Sequence, residues 1–169
     1  MKKLLLIVAL ALISGFSFSQ KSHNEYSHGA NQLNLGVGLS QWGVPVYIGF
    51  DHYINNDVTL GGEFSYRNYR ENWDHNYYDR NIMGFSGNAN YHFNRILEIP
   101  SNWDFYAGLN VGFYVWNSLD NYHGNNNSGV GLGGQIGGRY YISNKVALNL
   151  EFGGGNAFNG GKFGVTIKM

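Results

Sequence analysis

Residues able to transfer protons, pair as ions or hold a metal are few and widely spaced in this chain. Its 169 residues carry 11 Lys and Arg, 11 Asp and Glu, six His and no Cys. Without a thiol, disulfides, thiolate metal sites and cysteine nucleophiles are excluded. The balanced charge gives no reason to expect nucleic acid as a partner. Gly129-Val130-Gly131-Leu132-Gly133-Gly134 matches the G-x-G-x-x-G dinucleotide fingerprint. That motif works between a buried strand and a following helix in a βαβ unit, a context absent here. It reads instead as strand glycines. The informative set is different: four acids (Asp51, Glu63, Asp104, Glu151), four bases (Arg67, Arg139, Lys162, Lys168) and Gln135. Each stands in a segment of alternating character, and all fall on the same parity.

The elements that carry them are strands. Gly occurs 25 times, and an interior Gly costs a helix about 1 kcal/mol, so a helix bundle is excluded. Apolar residues recur with period two in eight short segments, which is the strand signature. These are 32–40, 45–54, 57–67, 82–93, 103–116, 129–141, 146–153 and 162–169. The fifth is the clearest, with Trp103, Phe105, Ala107, Leu109, Val111, Phe113 and Val115 on one face. Connections alternate in kind. Residues 55–57 and 142–145 are tight turns, and 94–102 is a compact connection with Pro100. Residues 68–81 and 117–128 read as long loops rich in Asn, Asp and Tyr, both at one end of an up-and-down meander.

The N-terminus carries an export signal. Lys2 and Lys3 precede ten apolar residues, 4–13, and Ser17-Phe18-Ser19 places small residues at the cleavage positions. Residues 1–19 are expected to be removed, 20–31 to form a short polar periplasmic lead, and 32–169 to form one domain.

Parity decides what surrounds that domain. One face holds almost only apolar and aromatic residues, with some Gly, His52 and no charge. The other holds Asn, Ser, Thr, Gln, Tyr, Gly and the eight charges. A soluble lipocalin-like barrel would turn the apolar face inward and show water a surface of Gly, Asn and Tyr. With the polar face inward, four acids pair with four bases and lipid meets only the apolar face. Closure then leaves no unpaired backbone edge. Tyr91, Phe93, Trp103, Phe105, Tyr140 and Tyr141 gather at the short-turn ends, where an aromatic girdle would meet headgroups. The expected fold is all-β: an eight-stranded antiparallel up-and-down transmembrane β-barrel behind a cleavable signal peptide.

Residues 32–169 resemble the small outer-membrane β-barrels of the OmpA/OmpX-like kind. Lys162-Phe163-Gly164-Val165-Thr166-Ile167-Lys168-Met169 is similar to the C-terminal signal read by the barrel-assembly machinery. Lys162, Gly164, Ile167 and Met169 occupy its defined positions, with Met where that family usually ends in Phe. The resemblance implies insertion by that machinery, outer-membrane lipid as surroundings, periplasmic termini and a monomer.

Eight strands leave a lumen that side chains fill. Large inward residues (Tyr47, Tyr53, Tyr106, Tyr114, Gln135, Arg139) are expected to interlock with Gly36, Gly49, Gly108, Gly112, Gly131 and Gly133. Glu63, Glu151, Arg139 and Gln135 are expected near mid-barrel. With the other inward charges they read as a structural network holding register, and a proton or ion path is the functional alternative. The expected role is structural or adhesive, with a narrow channel as alternative and a lipid-modifying enzyme after it. None of the six His has Ser two residues on, as the barrel-type lipid A deacylases require. His75, Asp74 and His123 lack an evident Ser partner for palmitoyl transfer. No cofactor, metal or catalytic set is expected, the acids and His123 of the long loops reading as solvated charge. His52 reads as interfacial and His92 as a hydrogen-bonded lumen residue. Trp73, Tyr77, Tyr78 and Tyr122, set among Asn and Gly, have the composition of recognition surfaces. They could bind an unidentified extracellular partner or pack over the barrel mouth.

Overall fold

Alternation of period two has a geometric consequence: each strand offers one wall to its neighbours' apolar side chains and the other to their polar ones. In the computed structural model eight such strands close on themselves. It describes residues 30–40, 43–73, 76–118, 128–155 and 159–169, with backbone alone at 69–80, 117 and 118. Residues 1–19, most of 20–31 and Tyr122 lie outside that set. The strands are β1 (Asn31–Ser40), β2 (Val46–Tyr53), β3 (Val58–Trp73), β4 (Asn76–His92), β5 (Trp103–Ser118), β6 (Gly129–Tyr141), β7 (Val146–Gly155) and β8 (Gly160–Lys168). Each pairs antiparallel with the next, and β8 returns to β1. Register along that seam runs from Gln32 opposite Lys168 to Ser40 opposite Gly160. No helix among the described residues is long and apolar enough to cross a membrane, which says nothing of a β-barrel.

Inside and outside follow parity among the described strand residues: of inward parity only Gly155, at the end of β7, is exposed, and none of outward parity is buried. Leu109, Val130, Leu132 and Ile136 are 61–73% exposed, whereas Arg139 and Asp104 are at most 1% exposed. This inverts a soluble protein, and it is the arrangement that a hydrocarbon solvent favours. The lipocalin-like alternative requires the opposite.

Two boundaries differ from the periodicity. The stretch 68–81 is a hairpin rather than a loop: β3 runs on to Trp73 and β4 starts at Asn76, paired in unbroken register from Asn68 opposite Asn81 to Trp73 opposite Asn76. Apolar alternation ends at Tyr66 and resumes at Met83, because it marks the edge of lipid, whereas the backbone ladder continues into water. Strands of 16, 17 and 16 residues in β3, β4 and β5 exceed the roughly 9–11 that a bilayer needs. They project from one end as a tall wall. At the other end the turns are short: 54–57, 93–102 and 142–145.

Interior fit comes from pairing bulk with glycine. A Cβ on Gly137 would run into the Tyr106 ring, and one on Gly36 would press on the Phe163 carbonyl and lie 2.7 Å from the Tyr47 hydroxyl. Gly154, near the top of β7, has nothing within 4 Å of that position. Gly36→Ala is therefore expected to destabilise the barrel by about 1–3 kcal/mol through overpacking at the β1–β8 seam. Gly154→Ala should be close to neutral. Urea-unfolding midpoints in detergent micelles check both.

Candidate functional site

Polar side chains with no access to water must find partners inside the lumen. They form two charged clusters and a hydrogen-bonded layer. In β6, Arg139 reaches across the barrel. Its Nη2 donates to Asp51 Oδ2 at 3.0 Å and its Nη1 to Asp104 Oδ2 at 3.1 Å. Asp104 and Arg139 are direct cross-strand partners, so the β5–β6 register alone brings them together. Asp51 comes from β2, and the span from β2 to β6 makes this contact a cross-brace. The other oxygen of Asp104 takes His92 Nδ1 at 2.7 Å, and His92 Nε2 lies 3.2 Å from Thr59 Oγ1. Tyr53 and Tyr106 flank the imidazole, with ring centroids 5.0 and 5.6 Å away. Asp51 Oδ2 also accepts from Asn34 at 2.8 Å, and Asn34 Oδ1 accepts from Thr166 at 2.7 Å.

The second cluster lies toward the tall end. Lys162 Nζ is 2.8 Å from Glu63 Oε1 and 3.1 Å from Glu151 Oε1. Glu151 faces Lys162 directly across the β7–β8 ladder, whereas Glu63 comes from β3. Tyr106 joins the clusters: its ring lies under Arg139, with the guanidinium carbon 4.4 Å from the centroid, and its hydroxyl donates to Glu151 Oε2 at 2.8 Å. Gln135 takes no part in either ion cluster. Its amide donates to Asn90 at 2.6 Å and accepts from Asn110 at 2.7 Å, tying β4, β5 and β6.

Each cluster thus has two carboxylates and one strong base. The two remaining inward bases stand toward opposite ends. Arg67, near the tall end, donates to Ser40 Oγ at 3.0 Å and lies 5.7 Å from the Tyr114 ring centroid. Lys168, at the short-turn end, lies 4.2 Å from the Tyr141 ring centroid. Four acids and four bases balance over the lumen as a whole, and the flanking cations complement the excess negative charge of the clusters. What remains empty between Glu63, Lys162, Gln135, Asn110 and Tyr114 is a cavity of about 10 Å³, room for roughly one water. No group of His, Asp and Glu among the described residues is arranged to hold a metal ion.

The inward, hydrogen-bonded His92 and the inward Tyr53 and Tyr106 are as the sequence reading expects; their partners, and the parts played by Thr59 and Asn34, were not legible from charge. A neutral partner carries no charge signal, and only the register shows which neutral group an ion meets. In the C-terminal motif, Lys162 and Gly164 point inward, while Ile167 and the exposed Met169 lie on the outer parity. Met169 N–H donates to the Asn31 carbonyl at 2.9 Å, extending the seam by one bond. Trp73, Tyr77 and Tyr78 are strand residues of the β3–β4 hairpin, which corrects their reading as loop. His52 sits outward beside Asn31, with 2.8 Å between Nδ1 and Oδ1.

No protein-family model matches the chain, and no curated protein matches it. Solved structures do. The outer-membrane protein OprG from Pseudomonas aeruginosa is 11% identical with a TM-score of 0.63, over 83% of this chain and 96% of that one. The N-terminal β-barrel domain of Pseudomonas aeruginosa OprF is 12% identical with a TM-score of 0.61, over 84% and 98%. Ail, the attachment invasion locus protein of Yersinia pestis, seen with the heparin analogue sucrose octasulfate, is 15% identical with a TM-score of 0.53, over 85% and 100%. At such identities the likeness is one of fold: the closed eight-stranded barrel of outer-membrane proteins.

Removing the cross-brace leaves two carboxylates facing each other without a cation. Arg139→Met is expected to cost about 3–5 kcal/mol. Lys168→Met, which removes a cation from the lumen mouth, should cost about 1 kcal/mol. Urea titration in micelles, followed by tryptophan fluorescence, separates the two.

Proposed function

We propose that this protein is an exported, non-enzymatic barrel of the outer membrane that acts through its surface rather than its lumen. Residues 1–19 direct export, the C-terminal motif is read by the assembly machinery, and both termini lie in the periplasm. The observation that carries this reading is the interior. Two bridged ion clusters and a Gln135–Asn90–Asn110 layer fill the described lumen, and the space beside Glu63 and Lys162 has room for about one water, which supports a sealed interior. Function then falls to what stands outside the bilayer on the side away from the termini. That is the β3–β4 hairpin and the β5–β6 connection, with Trp73, Tyr77, Tyr78 and Tyr122 as candidate contact residues. Ail, an attachment protein of the same fold crystallised with a sulfated sugar analogue, supports contact with an extracellular partner as the kind of task. The chain is expected to act as a monomer, since closure leaves no sheet edge for a second copy.

Glu151→Ala in planar lipid bilayers tests the sealed interior. It removes one arm of the Lys162 bridge and one of the two acceptors of the Tyr106 hydroxyl, so the expected result is a lower unfolding midpoint with conductance unchanged from wild type. A large stable conductance in either protein would establish the channel reading. Deleting Tyr77 and Tyr78 tests the surface role. Adhesion of expressing cells to a host matrix should fall to background, and adhesion equal to wild type would remove the hairpin from consideration.

A further inference from the structure

The short-turn end of the barrel carries large exposed aliphatic side chains among its polar turn residues, where turns in water are polar throughout. Ile96 and Leu97 in turn 93–102 are 67% and 64% exposed, and Ile142 in the next turn is 60% exposed. Ile54 and Met169 are exposed at the same end. Three of these residues continue an outward series beyond its strand: Ile54 follows Phe50 and His52, Ile142 follows Ile136 and Tyr140, and Met169 follows Val165 and Ile167. The lipid-facing surface therefore extends past the strand ends.

Turn 93–102 is also rigid. Leu97 N–H donates to the Phe93 carbonyl at 3.0 Å, Ile99 to Asn94 at 2.9 Å and Trp103 to Pro100 at 2.9 Å. The Asn94 side-chain oxygen accepts from Phe105 N–H at 3.1 Å, and Arg95 forks onto Asp57 of the neighbouring turn. Two large aliphatic side chains are thus held exposed on a braced turn. The strand ends that the turn joins carry an aromatic belt: Tyr91 and Phe93 meet edge to face at 5.2 Å, and Trp103 stacks on Phe105 at 5.4 Å and packs against Tyr140 at 4.8 Å. Such a belt marks headgroup level in membrane barrels.

We propose that turn 93–102 is a membrane-interface anchor, with Ile96 and Leu97 seated in the phospholipid leaflet on the short-turn side. Ile96 and Leu97 lie between the exposed Arg95 and Glu98, in the turn that joins the belt residues Phe93 and Trp103, and aliphatic side chains among charges beside an aromatic belt identify the occupant as the lipid interface. The anchor fixes how deep the barrel sits and lets the tall β3–β5 wall stand clear of the opposite surface.

The absence of native Cys makes the test direct. Leu97→Cys, Ile96→Cys and Asn56→Cys, the last from the polar turn at the same end, are each labelled with a nitroxide. The labelled proteins are placed in phosphatidylethanolamine–phosphatidylglycerol vesicles, with gel heat-shift confirming folding. Collision rates with oxygen, which partitions into lipid, are compared with those of a water-soluble nickel chelate. At 96 and 97 oxygen should exceed nickel several-fold, with the order reversed at 56. Equal, water-like readings at 97 and 56 would overturn the proposal and leave the turn free for a periplasmic protein. Exclusion of both reagents with spin–spin broadening would overturn it in favour of a second copy.

Discussion

Everything in this molecule depends on the β1–β8 ladder. In hydrocarbon an unpaired backbone N–H or C=O finds no water, and each one left open costs several kcal/mol. A sheet of eight strands has two edges, and only pairing the first strand with the last removes both. Once closed, the chain has no freedom to choose its faces. Period two sends every second side chain inward, into a space too narrow for water to fill and sealed from the lipid that tolerates the other half. The polar lumen is thus a consequence of closure and not a separate invention.

That lumen then has to solve an electrostatic problem. Burying ions is unfavourable unless each is paired and hydrogen-bonded, and a half-satisfied network is worse than an apolar core. The solution uses two scales of contact. Ladder neighbours such as Asp104 with Arg139 and Glu151 with Lys162 meet because of the register. Cross-barrel contacts, Arg139 to Asp51 and Lys162 to Glu63, join strands that share no ladder. The second kind resists shear, since slipping one strand by a residue would send its charge into lipid. Tyr106, touching Arg139 with its ring and Glu151 with its hydroxyl, makes the two clusters one object. Glycines opposite the large side chains supply the room.

How much of this could be read from the chain depends on which residues carry a signal. Strand count, antiparallel order and the inward set, from Asp51 to Lys168, follow from periodicity because lipid enforces it residue by residue. The ends of β3 and β4 do not follow. Beyond Tyr66 no lipid presses on the outer face, so polarity and regular structure part company, and a hairpin with the composition of a loop results. The clusters were legible as charges but not as pairs. Parity gives the face of Asp51 and Arg139, while their contact needs the curvature of five strands. The place of His92 in the lumen was legible, but its partners Asp104 and Thr59 were beyond reach for a different reason: a neutral hydrogen-bonding residue on a polar face looks like any other until its neighbour is known.

The comparison with barrels at 11–15% identity shows what kind of information is left over. Chains with so little in common reach one fold because the fold asks only for alternation, turns and a fillable interior. Residues committed to those demands are poorly placed to distinguish one member from another. Here they include nearly every inward side chain and the apolar outer wall. Positions the pattern does not use are left free to vary. On this chain those are the part of β3 and β4 that outruns the bilayer, the β5–β6 connection, and the aliphatic turn at the opposite end. The barrel's own stability makes such positions available: a wall held by a closed ladder and a braced interior can carry a polar hairpin at one rim and an apolar turn at the other without either having to contribute to folding.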